Sequence, residues 1–486
     1  MLNTLPKAYI AIDQGGHGSR VIIYDHTGKR IAHAEHAIRT QHPRTAWVEH
    51  NPQEMLNSIT ESLRLALEQV DISAFEFSAG LVTQRSSIVC WNKENGSPLT
   101  PVISWQDRRA AARLGEQDIT SVQAYIEETT GLRTSPHYGA SKLQWCMEHL
   151  SKVQDAAHAN TLLYGPLSSY LTFKLCTQSP ALCDPANASR TLLMNRFNLQ
   201  WQAELLKLFK IDARNLPKIV PNQTHFGHIA ASNTLRIPLN VVSGDQSAAV
   251  FAFGSLQSSD IVINAGTGVF IQSILSEPLA NPSPLLSSIA YVDDLNQRVD
   301  VLEGTINGGA AALTQIAQTL ELDEAWIKTQ LRATQSNTEK PIYFINTISG
   351  LGSPYWLSKL PHRFIGEGCR EQKMAAVCES ILFLIAENTD LMRVHCPQPG
   401  RIIVTGGLTR INGFVQALSD LIQETIEVPE EYEATAFGLA SLLVRRDSAW
   451  AARRQYTGYQ PRQNVGLRKR YKIWQQHMHS AVAASN

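Results

Sequence analysis

Two aspartates, each closing an apolar run, are the residues of this 486-residue chain whose placement best supports chemistry. Asp13 ends Ala8-Tyr9-Ile10-Ala11-Ile12 and is followed by Gln14-Gly15-Gly16-His17-Gly18-Ser19. Asp245 ends Val241-Val242-Ser243-Gly244 and precedes Gln246 and a helix-like stretch from Ser247 to Phe253. Strand tips are where layered α/β folds expose reactive groups. A carboxylate there can hold a divalent cation through water ligands or take a proton from a hydroxyl. Each aspartate also has an ordinary reading, Asp13 as the head of an Asx turn and Asp245 as a helix cap. Local sequence leaves both open.

Glycine turns supply the second signal. Gly15, Gly16 and Gly18 join two apolar runs that read as strands, and Ala265-Gly266-Thr267-Gly268 does the same inside Asp260–Leu275. P-loops and dinucleotide folds place such glycines between a strand and a helix. A hairpin can instead aim its backbone N–H groups at a phosphate as a nest, although glycine turns between strands are also common as structure alone. Two such hairpins, one near the head of each half, suggest a duplicated architecture gripping a polyphosphate from both sides.

The elements that must position these residues follow from periodicity. Residues 8 to 38 read as strand, turn, strand, turn, strand. Asn51, Pro52 and Glu54 mark a helix start, and Leu56, Ile59, Leu63, Leu67 and Val70 give it an apolar stripe that leads into a strand at 77 to 83. The chain is longer than one core usually organises, so two domains are expected, 1–250 and 251–486, in an α/β fold with a cleft between them.

Composition narrows the partners. Hydrophobic residues make up 43% and charged residues 18%, and the 43 basic residues equal the 43 acidic ones. Neither disorder nor an anionic partner such as nucleic acid or a membrane surface is indicated. The basic stretch from Arg462 to Lys472 reads as a solvated final helix. Seven scattered cysteines read as buried free thiols of a reducing compartment. With no leader and no bilayer-length apolar run, a cytoplasmic protein with a small-molecule partner is expected.

The ordered series Asp13-Gln14-Gly15, Trp47-Val48-Glu49-His50, Thr83-Gln84-Arg85, Trp105-Gln106-Asp107-Arg108-Arg109, Asn187-Ala188-Ser189-Arg190, Gly244-Asp245-Gln246, Gly266-Thr267-Gly268, Gly350-Leu351-Gly352-Ser353-Pro354-Tyr355-Trp356 and Gly406-Gly407 resembles the FGGY carbohydrate kinases, in particular their glycerol kinase-like members. The resemblance runs from about residue 8 to about residue 445. It implies two ribonuclease H-like domains of the actin and heat-shock-chaperone ATPase superfamily closing on ATP, Mg²⁺ and a sugar or polyol. It implies Asp245 as the catalytic base, and Asp13 with Asp245 at the metal. It places Arg85, Ser86, Trp105, Tyr138 and Gln246 around the substrate. ATP would meet Gly15, Gly16, His17, Ser19 and Arg20 on one side, Gly266, Thr267 and Gly268 on the other, and Gly308, Gly309, Gly406, Gly407 and Asn412 around the adenosine. A homodimer is left open.

Three departures qualify it. Gly16, His17 and Gly18 stand where the family carries hydroxyl residues, so backbone N–H groups and His17 must replace lost donors, unless His17 simply faces solvent. Ser86 stands where glycerol kinases carry a glutamate, which widens the pocket and favours a four- or five-carbon polyol or ketose. The segment from Gly308 to Pro341 is short. Glycerol itself, and a non-catalytic nucleotide or sugar sensor, are the competing readings.

Overall fold

The structure is a computed structural model that describes residues 5–116, 120–279, 284–335, 340–357, 359–396, 400–430, 433–446, 450 and 454–485. Two mixed sheets organise it. The first holds β1 (Lys7–Gln14), β2 (Gly18–Asp25), β3 (Arg30–Ala37), β4 (Glu76–Thr83), β5 (Gln223–Ala230) and β6 (Arg236–Gly244), in the order β5-β6-β4-β1-β2-β3. The second holds β7 (Ile261–Ala265), β8 (Val269–Leu275), β9 (Leu286–Val292), β10 (Arg298–Ile306), β11 (Ile402–Thr405), β12 (Ile426–Pro429) and β13 (Tyr456–Tyr459), in the order β9-β10-β8-β7-β11-β12-β13.

A five-stranded pattern recurs within both. In the first sheet β3, β2 and β1 form an antiparallel meander, and β4 and β6 add parallel strands beyond β1. In the second, β10, β8 and β7 form the meander, and β11 and β12 add the parallel pair. This duplicated order defines two ribonuclease H-like domains. The glycine turns occupy equivalent positions, between the first and second strands of each meander.

The helix after β3 spans Pro52–Leu67, and the Asn51 side chain accepts from Gln53 N and Glu54 N at 2.8 and 3.2 Å. Its buried stripe is Met55, Ile59, Leu63 and Leu67, whereas Leu56 is half-buried and Val70 lies past the helix end. Glu54 turns to Arg39, accepting from its N and Nε at 3.2 Å.

The helix Ala434–Leu443 packs between the sheets. Phe437 and Leu439 share one cluster with Ala11, Val82 and Val241 of the first sheet and Val262 and Ile403 of the second. Gly80 on β4 makes room for this, since a Cβ there would stand 2.7 Å from Leu439 Cδ1. The strand β9 is buried along its whole length. Its Val292 N donates to Asn222 Oδ1 at 2.9 Å, tying the second sheet to the first domain. A smaller four-stranded sheet, which includes Ile88–Asn92 and Leu162–Pro166, carries the segment with Trp105 and Tyr138.

The final helix, Val465–Ala483, is less solvated than its basic residues suggest. Trp474 is fully buried, and Arg470 is buried against Glu379 at 2.6 Å. Cys369 is exposed and the other six cysteines are buried, all as free thiols. Among the described residues, no helix is long and apolar enough to cross a membrane.

Candidate functional site

Both glycine turns are closed by one backbone bond, Gly15 N to Gly18 O at 2.9 Å and Gly266 N to Gly268 O at 3.0 Å. His17 and Thr267 sit exposed at the two tips. A Cβ on Gly15, Gly16 or Gly266 would meet nothing closer than 3.6 Å, so ligand can approach these backbones. The residues beside the first turn are less available. The Ser19 hydroxyl lies 2.7 Å from Ser58 Oγ, facing the helix Pro52–Leu67. Arg20, on the other face of β2, pairs with Glu35 at 3.2 Å and with Glu433 from the second half of the chain.

The second turn rests on the helix Ala310–Thr319, whose first N–H groups, on Ala310 and Ala311, donate to the carbonyls of Gly266 and Thr267 at 2.9 and 3.1 Å. That contact requires Gly309, where a Cβ would lie 2.6 Å from Gly266 O. Gly308 O accepts from Asn346 Nδ2 at 2.8 Å. Gly406, at φ 95°, sits against the end of β7, where a Cβ would be 2.5 Å from Ala265 O. Gly407 faces open space, and Asn412 is exposed.

Asp13 is the half-buried penultimate residue of β1, and Asp245 follows β6 as the first residue of the short helix Asp245–Ala249. Gly244 is the cap of that helix, and Asp245 Oδ1 accepts from Gln246 N at 2.6 Å. Burial and then the nearby Asp245 push the Asp13 carboxyl up to about 7, against the pull of Arg20. Burial also raises Asp245, opposed by Arg85 and Arg190. Two carboxylates that repel each other and lack full compensation suit a divalent cation. Among the described residues no three His, Cys, Asp or Glu side chains form a metal cage. Such a site fits Mg²⁺, which keeps several waters and leans on few carboxylates plus phosphate oxygens.

Arg85, just beyond β4, is buried. Its Nε stands 3.9 Å from Asp245 Oδ1, and its Nη1 and Nη2 donate to Glu303 Oε1 and Oε2 at 2.9 and 3.1 Å. Glu303 lies in the middle of β10 and also accepts from Arg190 Nη2 and Ser288 Oγ, both at 2.6 Å. Burial opposes ionisation of Glu303, yet Arg190 and Arg85 hold its carboxyl down at about 2. Gln246 Oε1 accepts from Asn264 Nδ2 of β7 at 3.5 Å.

An aromatic row forms the adjoining wall. His137 bridges Trp105 and Tyr138, with ring centroids 5.5 and 5.0 Å away. Trp105 is half-buried and Tyr138 is buried beside Arg190, whose Cζ lies 5.9 Å from the Tyr138 ring. Burial and the positive charges of Lys142, Arg190 and Arg85 keep His137 neutral. Lys142 Nζ ties the wall together by donating to the carbonyls of Ser86, Ser104 and His137 at 3.0, 2.9 and 2.7 Å. Ser86 is buried at φ 64°, and among the described residues its hydroxyl has no partner.

Asp13, Arg85, Tyr138, Asp245 and Gln246 thus gather at one place together with Glu303, Arg190, His137 and Asn264, which sequence reasoning gave no role. The signal for Glu303 was present: a carboxylate inside the apolar strand Arg298–Ile306 must meet a counter-charge.

Duplicated ribonuclease H-like domains, each headed by a glycine hairpin, define an actin-like fold. Within it, the chain belongs to the FGGY family of carbohydrate kinases. The family's N-terminal domain matches residues 8–252 and its C-terminal domain residues 261–445. The chain is 30% identical to a glycerol kinase of Mycoplasma genitalium over 457 residues, covering 90% of this chain and 89% of that one. It is 28% identical to a glycerol kinase of Aquifex aeolicus, over 92% and 91% of the two chains. Its fold is similar to that of Plasmodium falciparum glycerol kinase with ADP, at TM-score 0.87 and 23% identity, with 98% of each chain covered. It is also similar to a ligand-bound xylulose kinase of Lactobacillus acidophilus, at TM-score 0.83 and 19% identity, again with 98% of each covered. The protein is therefore a carbohydrate kinase.

Proposed function

We propose that the protein transfers the γ-phosphoryl group of ATP to a hydroxyl of a four- or five-carbon polyol or ketose in the cytoplasm, with Asp245 as general base. The observation that carries this reading is the position of Asp245 at the tip of β6, about a quarter exposed (26%), beside Arg85 and within electrostatic reach of Asp13. Burial makes its carboxylate a better proton acceptor than an exposed aspartate.

In this reading 1–250 and 251–486 are the two closing lobes. The turns at Gly15–Gly18 and Gly266–Gly268 offer backbone N–H groups to the phosphates, and Gly407 with Asn412 borders the adenosine. His17 stands at the tip of the first turn, where the family's hydroxyl side chains are missing. Asp13 and Asp245 would hold Mg²⁺, which neutralises phosphate charge when bound. Arg85 and Gln246 orient the acceptor hydroxyls, Trp105 and Tyr138 cover its C–H face, and Asp245 takes the proton of the attacking hydroxyl.

Ser86 supports an acceptor longer than glycerol: a buried hydroxyl without a partner among the described residues asks for a ligand oxygen, and serine leaves space that a glutamate would fill. The test is ADP release with glycerol, erythritol, D-xylulose and D-gluconate. Wild type is expected to turn over at least one, and Asp245→Asn to lose about 10³-fold or more in kcat with little change in the KM for ATP. Unchanged turnover in Asp245→Asn would remove the base from Asp245.

A further inference from the structure

A carboxylate that belongs to the second lobe occupies the floor of the acceptor site in the first. Glu303 and Ser288 stand on β10 and β9 of the second sheet, while Arg85 and Arg190 come from the first lobe. Glu303 is fully buried, and Arg85 and Arg190 are 7% and 3% exposed.

The bonding leaves the carboxylate no spare capacity. Oε1 takes Arg85 Nη1 and Ser288 Oγ, and Oε2 takes Arg85 Nη2 and Arg190 Nη2. A saturated carboxylate cannot also bind a ligand, so its effect must pass through the arginines it holds. The paired fork on Arg85 fixes the guanidinium plane, which is the property a bidentate contact confers. Arg85 Nε is then left 3.9 Å from Asp245 Oδ1, too long for a hydrogen bond, so neither group is committed to the other.

Strand register adds the link to the nucleotide side. Glu303 pairs with Gln272 on β8, and three residues further on Ile306 pairs with Val269, directly after the turn Gly266–Gly268. One strand therefore joins the residue that orients Arg85 to the turn that would face the phosphates.

We infer that Glu303 is a positioning residue for the transfer reaction, holding Arg85 and Arg190 from the opposite lobe so that the acceptor hydroxyl is aligned on Asp245 only when the two lobes are in register. This inference rests on the kinase reading above and adds a second-lobe residue to acceptor recognition.

The test compares wild type with Glu303→Gln, Glu303→Asp and Ser288→Ala, using the same four acceptors. Acceptor binding is followed by the change in intrinsic tryptophan fluorescence, and ATP and acceptor kinetics are measured separately. Glu303→Gln is expected to lower kcat/KM for the acceptor by about 100-fold, the cost of misplacing a reacting group, with the KM for ATP within about threefold of wild type. Glu303→Asp restores the charge and should recover part of the loss. Glu303→Gln leaves two buried guanidinium groups around a neutral amide and risks misfolding, so Ser288→Ala serves as the mild probe. It removes one bond to the carboxylate and should cost the acceptor about tenfold in kcat/KM while leaving ATP kinetics alone.

Equal losses for ATP and acceptor, or no loss in any variant, overturn the inference while leaving a turning-over wild type as a kinase. A wild type that neither binds nor turns over any of the four acceptors overturns both.

Discussion

Ser86 combines a left-handed backbone, a buried site and a hydroxyl without a partner among the described residues. A non-glycine residue at φ 64° is strained by about 1 kcal/mol, and such strain persists where the surroundings hold it. Here Lys142 does so, through its bond to the Ser86 carbonyl. Ser86→Gly should therefore raise stability by about 0.5–1 kcal/mol in urea unfolding, and raise the acceptor KM about tenfold through the lost hydroxyl. An unchanged acceptor KM would take Ser86 out of the pocket.

Asp13 makes a second residue-level prediction. Folded Asp13 keeps its proton to about pH 7, while an unfolded aspartate releases it near 3.8. Between those values the folded state binds more protons, so stability of the metal-free protein falls as pH rises. Asp13→Asn removes that liability. Its unfolding free energy should exceed that of wild type at pH 8 by about 2–4 kcal/mol and converge with it below pH 4. Millimolar Mg²⁺ should narrow the gap by stabilising wild type alone; a gap independent of both pH and Mg²⁺ would contradict this account.

At the scale of elements, the two hairpins differ in what holds them. The first is closed by its own Gly15–Gly18 bond and by Ile38 N to His17 O at 3.0 Å, whereas the second is also carried on the helix Ala310–Thr319 through Gly309. Gly309→Ala should push the turn outward, costing about 1–3 kcal/mol in stability and raising the KM for ATP about tenfold or more. Gly407→Ala is the contrast: its Cβ enters open space, so stability should hold while the KM for ATP rises. Equal stabilities for the two variants would argue against the packed role of Gly309. The hairpins, the Asn51 cap and the strand tip at Asp245 were legible in sequence because each is specified by neighbours. The need of Glu303 for a counter-charge was legible too, but its partners and the places of Arg190, Asn264 and His137 were not, since these contacts reach up to 218 residues along the chain, as with Arg85 and Glu303. The same limit applies to Trp47, Glu49, Asp107 and Arg109. They look like site motifs, yet Arg109 stacks 3.9 Å over Trp47 and pairs with Glu49 and Asp107 at 2.6 and 2.7 Å, forming a brace of their own.

Over the whole molecule, the lobes are joined in two physically different ways. At the floor, Arg85, Arg190 and Glu303 are buried with β9, out of reach of salt. At the rim, Arg20 on β2 meets Glu433, just before the helix Ala434–Leu443, with side chains 36% and 40% exposed. An exposed pair is worth at most about 1 kcal/mol and weakens as salt screens it. The floor contacts are thus insensitive to salt, while the rim pair is weak and salt-sensitive. In solution scattering the radius of gyration of the ligand-free protein should grow as salt is raised. Glu433→Gln should be expanded already at low salt and insensitive to further addition. ATP with an acceptor should contract both proteins to the same size, because ligand contacts across the cleft exceed one exposed pair. If Glu433→Gln and wild type scatter alike at every salt concentration, the rim pair does not bias the lobes, and closure is set by the floor and the ligands alone.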